Sequence, residues 1–211
     1  MKSILISIKP QWCEKIASRR KTIEVRKSAP KEVPFKSYIY ATKPKKFYKC
    51  GAVSTSDELL WFANGKIEMG DGFKFWADGD EYQNLNGKVI GEFVCDKIYT
   101  LKAYSYDGGN ADLGRRKLIE TFTPGTMANY ILDAIGMEQE KAFDYLGEGG
   151  FGYGLHISDL KIYDKPKELS EFWTIKCTNK RNGCLGCGIK PNCIKTITRP
   201  PQNYIFVEEL K

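Results

Sequence analysis

One histidine, His156, serves a chain of 211 residues. A two-histidine acid/base pair is therefore excluded, and any nucleolytic chemistry would have to rest on lysine, tyrosine or carboxylates. Long apolar runs are also missing: no window approaches the roughly 18 uninterrupted apolar residues of a membrane helix. The opening MKSILISIKPQWCEK turns charged too soon for a signal peptide, so a cytoplasmic protein is expected. Internal repeats and low-complexity tracts are absent as well, which sets aside solenoids and disordered linkers.

What is present is a globular composition, 42% hydrophobic and 13% aromatic, with enough length for one full core and an appendage. The net charge of +7 is unevenly spread. Residues 1–50 carry 14 Lys/Arg against 3 Asp/Glu, residues 51–160 hold a local −9, and residues 161–211 a local +5. If the two basic ends meet in the fold, they make one positive surface suited to phosphate; a solvated lysine-rich face is the alternative.

Strand patterns dominate. SILISI at 3–8 is a short apolar run, and Lys9-Pro10 then opens a helix to about Ser18, because proline suits the first helical position. Thr22-Ile23-Glu24-Val25-Arg26 alternates strictly, so Ile23 and Val25 face one way and Thr22, Glu24 and Arg26 the other, a half-buried strand with a polar row. Further strands are expected at 37–42, 88–101, 154–163 and 204–208. A Gly-rich aromatic insertion occupies about 51–86, with Trp61, Phe62, Phe73, Phe75 and Trp76. A helical excursion is expected over about 112–145, broken at Pro124-Gly125 and Gly136. The fold class is α+β.

Ser18-Arg19-Arg20-Lys21-Thr22-Ile23-Glu24-Val25-Arg26 resembles the G-x-K-T-x-E-x-R signature of ASCH domains, relatives of the PUA RNA-binding fold. SILISIKPQWCEKI, HISDLKIYDKPKEL and RPPQNYIFVEEL look like phage-associated and bacterial members, so the resemblance covers most of residues 1–170 and resumes at Arg199. It implies a small mixed β-barrel with flanking helices over 1–170, whose cleft beside the first helix is lined by Lys21, Glu24 and Arg26. Arg19 stands where the signature has glycine, a residue that ends a helix in a left-handed conformation costing other residues roughly 1 kcal/mol. One ASCH branch hydrolyses acetylated cytidine with a lysine, a threonine and a glutamate. Lys21 matches that lysine, Glu24 replaces the threonine, and the third group would come from around Glu138 or Glu140.

The chemistry of the trio is coherent. Arg26 suits bidentate contact with a phosphate or a base edge, and Lys21 an electrostatic clamp or, with its proton affinity lowered by burial, a general base. Glu24 suits an exocyclic amine or proton transfer; a plain Glu24–Arg26 salt bridge is the structural alternative. Arg19, Tyr38 and Tyr40 are further candidate nucleotide contacts, although a barrel strand would also use the two tyrosines as core. His156 reads as a packed, hydrogen-bonded residue.

Cys177-x6-Cys184-x2-Cys187-x5-Cys193 is the most specific chemical signal in the chain. With glycines at 183, 186 and 188 to allow tight turns, four thiolates in this spacing can wrap one ion. Zinc in a closed structural site is the first reading, in an appendage of 171–211 that ends in the closing strand. A [4Fe–4S] cluster is the alternative, since the spacing resembles the cluster loop of helix-hairpin-helix DNA glycosylases. Cys13, Cys50 and Cys95 read as ordinary buried thiols.

Together these point to an RNA or modified-nucleotide binding module with no membrane association. The alternatives are an enzyme of the same fold, either an amidohydrolase on an acylated nucleoside or a metal-independent ribonuclease, and a protein-protein interaction module of phage origin. Metal analysis of the purified protein should give one zinc per chain, lost on Cys184→Ser with Cys187→Ser. Two or more irons with the brown colour of a cluster would overturn the zinc assignment.

Overall fold

The computed structural model describes residues 1–43, 48–55, 58–64, 83–107, 115–122, 128–175 and 194–208. Its elements in chain order are β1 (Lys2–Ile8), α1 (Pro10–Ala17), β2 (Ile23–Arg26), β3 (Phe35–Ala41), β4 (Tyr48–Thr55), β5 (Glu58–Asn64), β6 (Gln83–Asn84), β7 (Val89–Cys95), β8 (Ile98–Asp107) and β9 (Arg115–Thr121). Two helices follow, α2 (Ala128–Ile135) and α3 (Gln139–Leu146). The chain continues through β10 (Phe151–His156), β11 (Ser158–Lys167), a 3-10 turn at Leu169–Glu171, β12 (Trp173–Ile175), β13 (Ile194–Thr196) and β14 (Tyr204–Val207). The class is α+β.

Among the described residues the strands group into four sheets, where the resemblance implied one small barrel. The orders are β11-β7-β3-β1-β14, β2-β10-β8-β9, β4-β5-β6 and β12-β13. The chain divides into two compact units, one of Met1–Glu14, Lys36–Glu92 and Lys161–Lys211, the other of Lys15–Phe35 and Phe93–Leu160.

In the first unit, β1 lies between β3 and β14, and its residues after Lys2 are all buried. Leu5, Tyr38, Tyr40, Val89, Phe172, Ile197 and Val207 form an apolar cluster, with Tyr38 edge-on to Phe172 at 5.0 Å between ring centres. The second unit is built on β2-β10-β8-β9. One face of this sheet presents Ile23, Val25, Tyr99, Leu101, Ala103 and Ile119, and α2 and α3 cover it with Ile131, Ile135, Phe143 and Leu146. Helices on one face of an antiparallel sheet are the economical way to bury a period-two apolar row.

Two long strand expectations divide. Residues 88–101 form β7 and β8 with a break at Asp96-Lys97, and 154–163 fall in β10 and β11 with a break at Ile157. Both breaks follow from backbone polarity: the His156 N–H donates to the Lys97 carbonyl and the Ile157 N–H to the Thr22 carbonyl, outside any regular ladder. The helical excursion is also shorter than expected, because Arg115–Thr121 pairs with β8 as a strand. Its alternation sends Ile119 into the core opposite Ala103, a periodicity that a helical reading of this segment misses. Within the insertion, β4, β5 and β6 form a three-stranded sheet, and residues 65–82, with Phe73, Phe75 and Trp76, lie outside the described residues. No helix among the described residues is long and apolar enough to cross a membrane.

Gly91 in β7 shows how tightly the first unit is packed: a Cβ there would lie 2.4 Å from the Lys161 carbonyl oxygen. Gly91→Ala should therefore cost about 1–3 kcal/mol through forced backbone movement, read as a lower urea midpoint with an unchanged slope.

Candidate functional site

The signature segment is shaped first by its backbone. α1 stops at Ala17, and Arg19 takes φ 59°, the left-handed turn for which glycine is the easy residue. The Arg19 N–H still reaches the Ile16 carbonyl, and the Lys21 N–H the Lys15 carbonyl. From here the chain meets the C-terminal end of α2, whose last carbonyls have no partner within the helix.

Three consecutive carbonyls at that end are taken up by the signature segment. The Thr22 N–H donates to Ala134 O at 2.9 Å, Lys21 Nζ to Ile135 O at 2.8 Å, and Lys15 Nζ to Gly136 O at 2.6 Å. Two ammonium groups thus sit at the negative end of the helix dipole, where cations are favoured. Gly136 makes the approach possible. It turns at φ 58°, and a Cβ there would lie 3.1 Å from Arg20 O and 3.3 Å from Lys21 Cβ. Lys15, the Ile135 carbonyl and Gly136 were not expected at the site; the Gly136 break after ILDAI is the sequence feature that points to them.

Lys21 is 1% exposed, Glu24 5% and Arg26 8%, so the polar row of β2 is buried along with its apolar row. This differs from the half-buried strand expected. The burial is tolerable because the charges meet partners. Lys21 Nζ donates to Ile23 O at 2.8 Å and lies 3.3 Å from Glu24 Oε2, and an Arg26 terminal nitrogen lies 3.0 Å from Glu24 Oε1. With Ile135 O, the three N–H donors of one ammonium face three acceptors. Burial lowers the Lys21 proton affinity, Glu24 opposes this, and Arg26 and Lys15 add to it. A general base must present a lone pair, and this nitrogen spends its hydrogens on two carbonyls and a carboxylate. Its geometry is that of a clamp.

The other expected contacts are dispersed. Tyr38 and Tyr40 belong to the first unit and pack within its apolar cluster, so the reading of them as stacking surfaces gives way to a core role. A strand in the middle of a sheet uses large aromatics to fill volume. Glu138 pairs on the surface with Lys141 at 2.9 Å, and Glu140 is exposed. His156 is half-buried, its Nδ1 2.6 Å from Asp96 Oδ1 and its ring edge-on to Tyr99. Burial raises the proton affinity of Asp96, but hydrogen bonds from His156, the Asp96 backbone and Ser158, with the charge of His156, together hold the carboxyl below its ordinary range. Cys13 and Cys95 are buried, and burial pushes the Cys95 thiol up to about 12, which keeps it protonated and unreactive. Cys177, Cys184, Cys187 and Cys193 lie outside the described residues, among which no group of three or more His, Cys, Asp or Glu is placed to hold a metal.

Among solved structures, the chain is similar to a protein described as ASCH from Zymomonas mobilis, with 15% identity and a TM-score of 0.49 over 99% of this chain and 89% of that one. A tyrosine-to-phenylalanine variant of the same protein gives 15% identity and a TM-score of 0.48 over 99% and 92%. At this level the likeness carries no weight for function. No protein-family profile and no curated protein matches the chain.

Lys21→Ala should cost roughly 3–5 kcal/mol in urea unfolding, because it leaves Glu24 and two carbonyls short of a buried cation, and Lys15→Ala about 1 kcal/mol. A pH series isolates the charge. The Lys21 proton affinity is lowered from its ordinary 10.5 in the folded chain, so the unfolded chain binds more protons just below that pH. Stability contributed by this group should rise as pH climbs toward 10.5; the rise should be absent from Lys21→Met and so appear in the difference between wild type and that variant.

Proposed function

We propose that this chain is an ASCH/PUA-like module that binds RNA or a modified nucleotide in the cytoplasm, with Glu24 and Arg26 as its recognition pair and Lys21 as the clamp that sets them. The observation that carries this reading is the pairing of two buried cations with one buried carboxylate on the signature strand. A structural salt bridge needs one charge of each sign. A second cation beside the same buried carboxylate goes beyond one ion pair and suits an anionic ligand such as a phosphate, while the carboxylate supplies an acceptor for a base amine. The ASCH-like signature supports the same reading, and Cys177, Cys184, Cys187 and Cys193 are proposed to hold a structural zinc.

An enzyme of this fold using Lys21 as its base is the weaker reading, because the ammonium is occupied by three acceptors. Arg26→Gln separates the roles, since it removes the fork and leaves the Lys21 clamp in place. Purified protein incubated with end-labelled single-stranded RNA, and with a mononucleotide followed by calorimetry, should bind without cleaving, and Arg26→Gln should weaken binding at least about tenfold. RNA fragments that appear with wild type and disappear with Lys21→Ala would instead establish a ribonuclease. No shift, no fragments and no heat would leave a protein partner as the function.

A further inference from the structure

The sheet of the second unit has two faces, and only one of them is covered by α2 and α3. Register assigns the other. Tyr153 pairs with Arg26 on one side and with Thr100 on the other, Phe151 with Lys102, and Tyr106 with Arg116. Residues directly opposite share a face, and so do residues two apart along a strand. Phe151, Tyr153, Lys102, Tyr104 and Tyr106 therefore point the same way as Glu24 and Arg26, away from the helices. Phe122 joins them at the end of β9, where its N–H donates to Thr100 O.

This face changes character from one edge to the other. At β2 it is closed, with Glu24 and Arg26 nearly inaccessible. Toward β9 it is open: Phe151 is 57% exposed, Tyr106 56% and Phe122 55%. Single exposed aromatics are ordinary on a protein surface, but three on one face of three adjacent strands form a patch that water does not favour. Strand spacing and register put the Phe151 ring roughly 10–15 Å from each of the other two and Tyr106 about 20 Å from Phe122, spans that one globular side chain of a partner would not bridge but an extended chain would. Charge selects among extended chains. The Lys102 ammonium sits 5.5 Å above the Phe151 ring centre, and on this face the register of β8 and β9 places Lys102 and Arg116 against one carboxylate, Glu120.

We infer that this open sheet face is a stacking platform for single-stranded nucleic acid, with Phe151, Tyr106 and Phe122 taking base faces and Lys102 a phosphate. The inference rests on the reading of the Glu24–Arg26 cluster as a nucleotide site and deepens it: a nucleotide held at that cluster would belong to a polymer whose neighbouring bases lie along the same face. Base–aromatic stacking is tolerant of sequence, so the platform contributes affinity and length dependence without choosing a base.

The test uses the full chain, a fluorescently labelled oligouridine and free uridine monophosphate. Phe151→Ala combined with Tyr106→Ala removes two exposed rings, so the fold should survive, checked by an unchanged unfolding midpoint. The double variant should lose at least about tenfold in oligouridine affinity while mononucleotide binding stays at the wild-type level, and Phe151→Tyr alone, which keeps a ring, should leave oligouridine binding unchanged. Lys102→Gln should flatten the salt dependence of oligouridine binding by about one phosphate contact. Oligouridine binding that is unaltered by the double variant but lost in Arg26→Gln would overturn the platform and leave the cluster reading standing. Oligouridine binding that is lost in the double variant, in a protein that binds no mononucleotide, would support the platform and remove the cluster from recognition. A wild-type protein that binds neither probe would overturn both.

Discussion

Taking the Lys21 ammonium out of water carries a desolvation penalty of several kcal/mol unless each of its hydrogens finds an acceptor. The chain meets that demand from three directions: its own next strand through Ile23 O, the end of α2 through Ile135 O, and the Glu24 carboxylate. Each partner then acquires a fixed place. β2 cannot shift in register without moving the Ile23 carbonyl, and α2 cannot slide along the sheet without uncapping. Glu24 is held between Lys21 and Arg26 and keeps both carboxylate oxygens engaged. Lys15 and the Thr22 N–H repeat the grip on the neighbouring carbonyls, so the helix end is bound at three successive residues.

From that anchor the second unit divides its labour between the two faces of one sheet. The covered face holds Ile23, Val25, Tyr99 and Leu101 against the two helices and supplies the hydrophobic stabilisation. The opposite face carries the charged cluster at β2 and the open rings toward β9. A strand with period two can serve both ends at once, and β2 does so within four residues. The same economy explains Gly152 and Gly154 in β10. They stand on the covered face, where a Cβ would press within 2.4 Å of a Leu146 methyl and 2.8 Å of an Ile23 methyl, so the sheet and the helix approach closely only because these positions are bare.

Much of this arrangement was legible in the residues. The alternation of TIEVR placed Glu24 and Arg26 side by side, Pro10 marked the start of α1, and Arg19 at the glycine position of the signature indicated the left-handed turn that the backbone adopts. Other features were hidden for physical reasons. Burial of a polar strand face depends on what packs over it, which alternation does not report. The Lys21 contact with Ile135 joins residues 114 apart in the chain, and long-range partners of a lysine leave no local pattern. The divisions at Asp96-Lys97 and Ile157 occur inside continuous β-prone runs, where turn residues are scarce and tertiary hydrogen bonds decide. Tyr38 and Tyr40 illustrate the opposite case, since an aromatic alternation on a strand is the same whether the rings face a ligand or a core.

A double-mutant cycle on Lys21 and Glu24, with Lys21→Met, Glu24→Gln and the pair measured in urea, addresses the clamp most directly. A buried ammonium that positions the carboxylate predicts a coupling energy of about 1.5 kcal/mol or more, within the range found for residues in one ion-pair network. Losses that add to within about 0.5 kcal/mol would mean the two side chains act independently, and the clamp would not be what holds β2, α2 and the candidate site together.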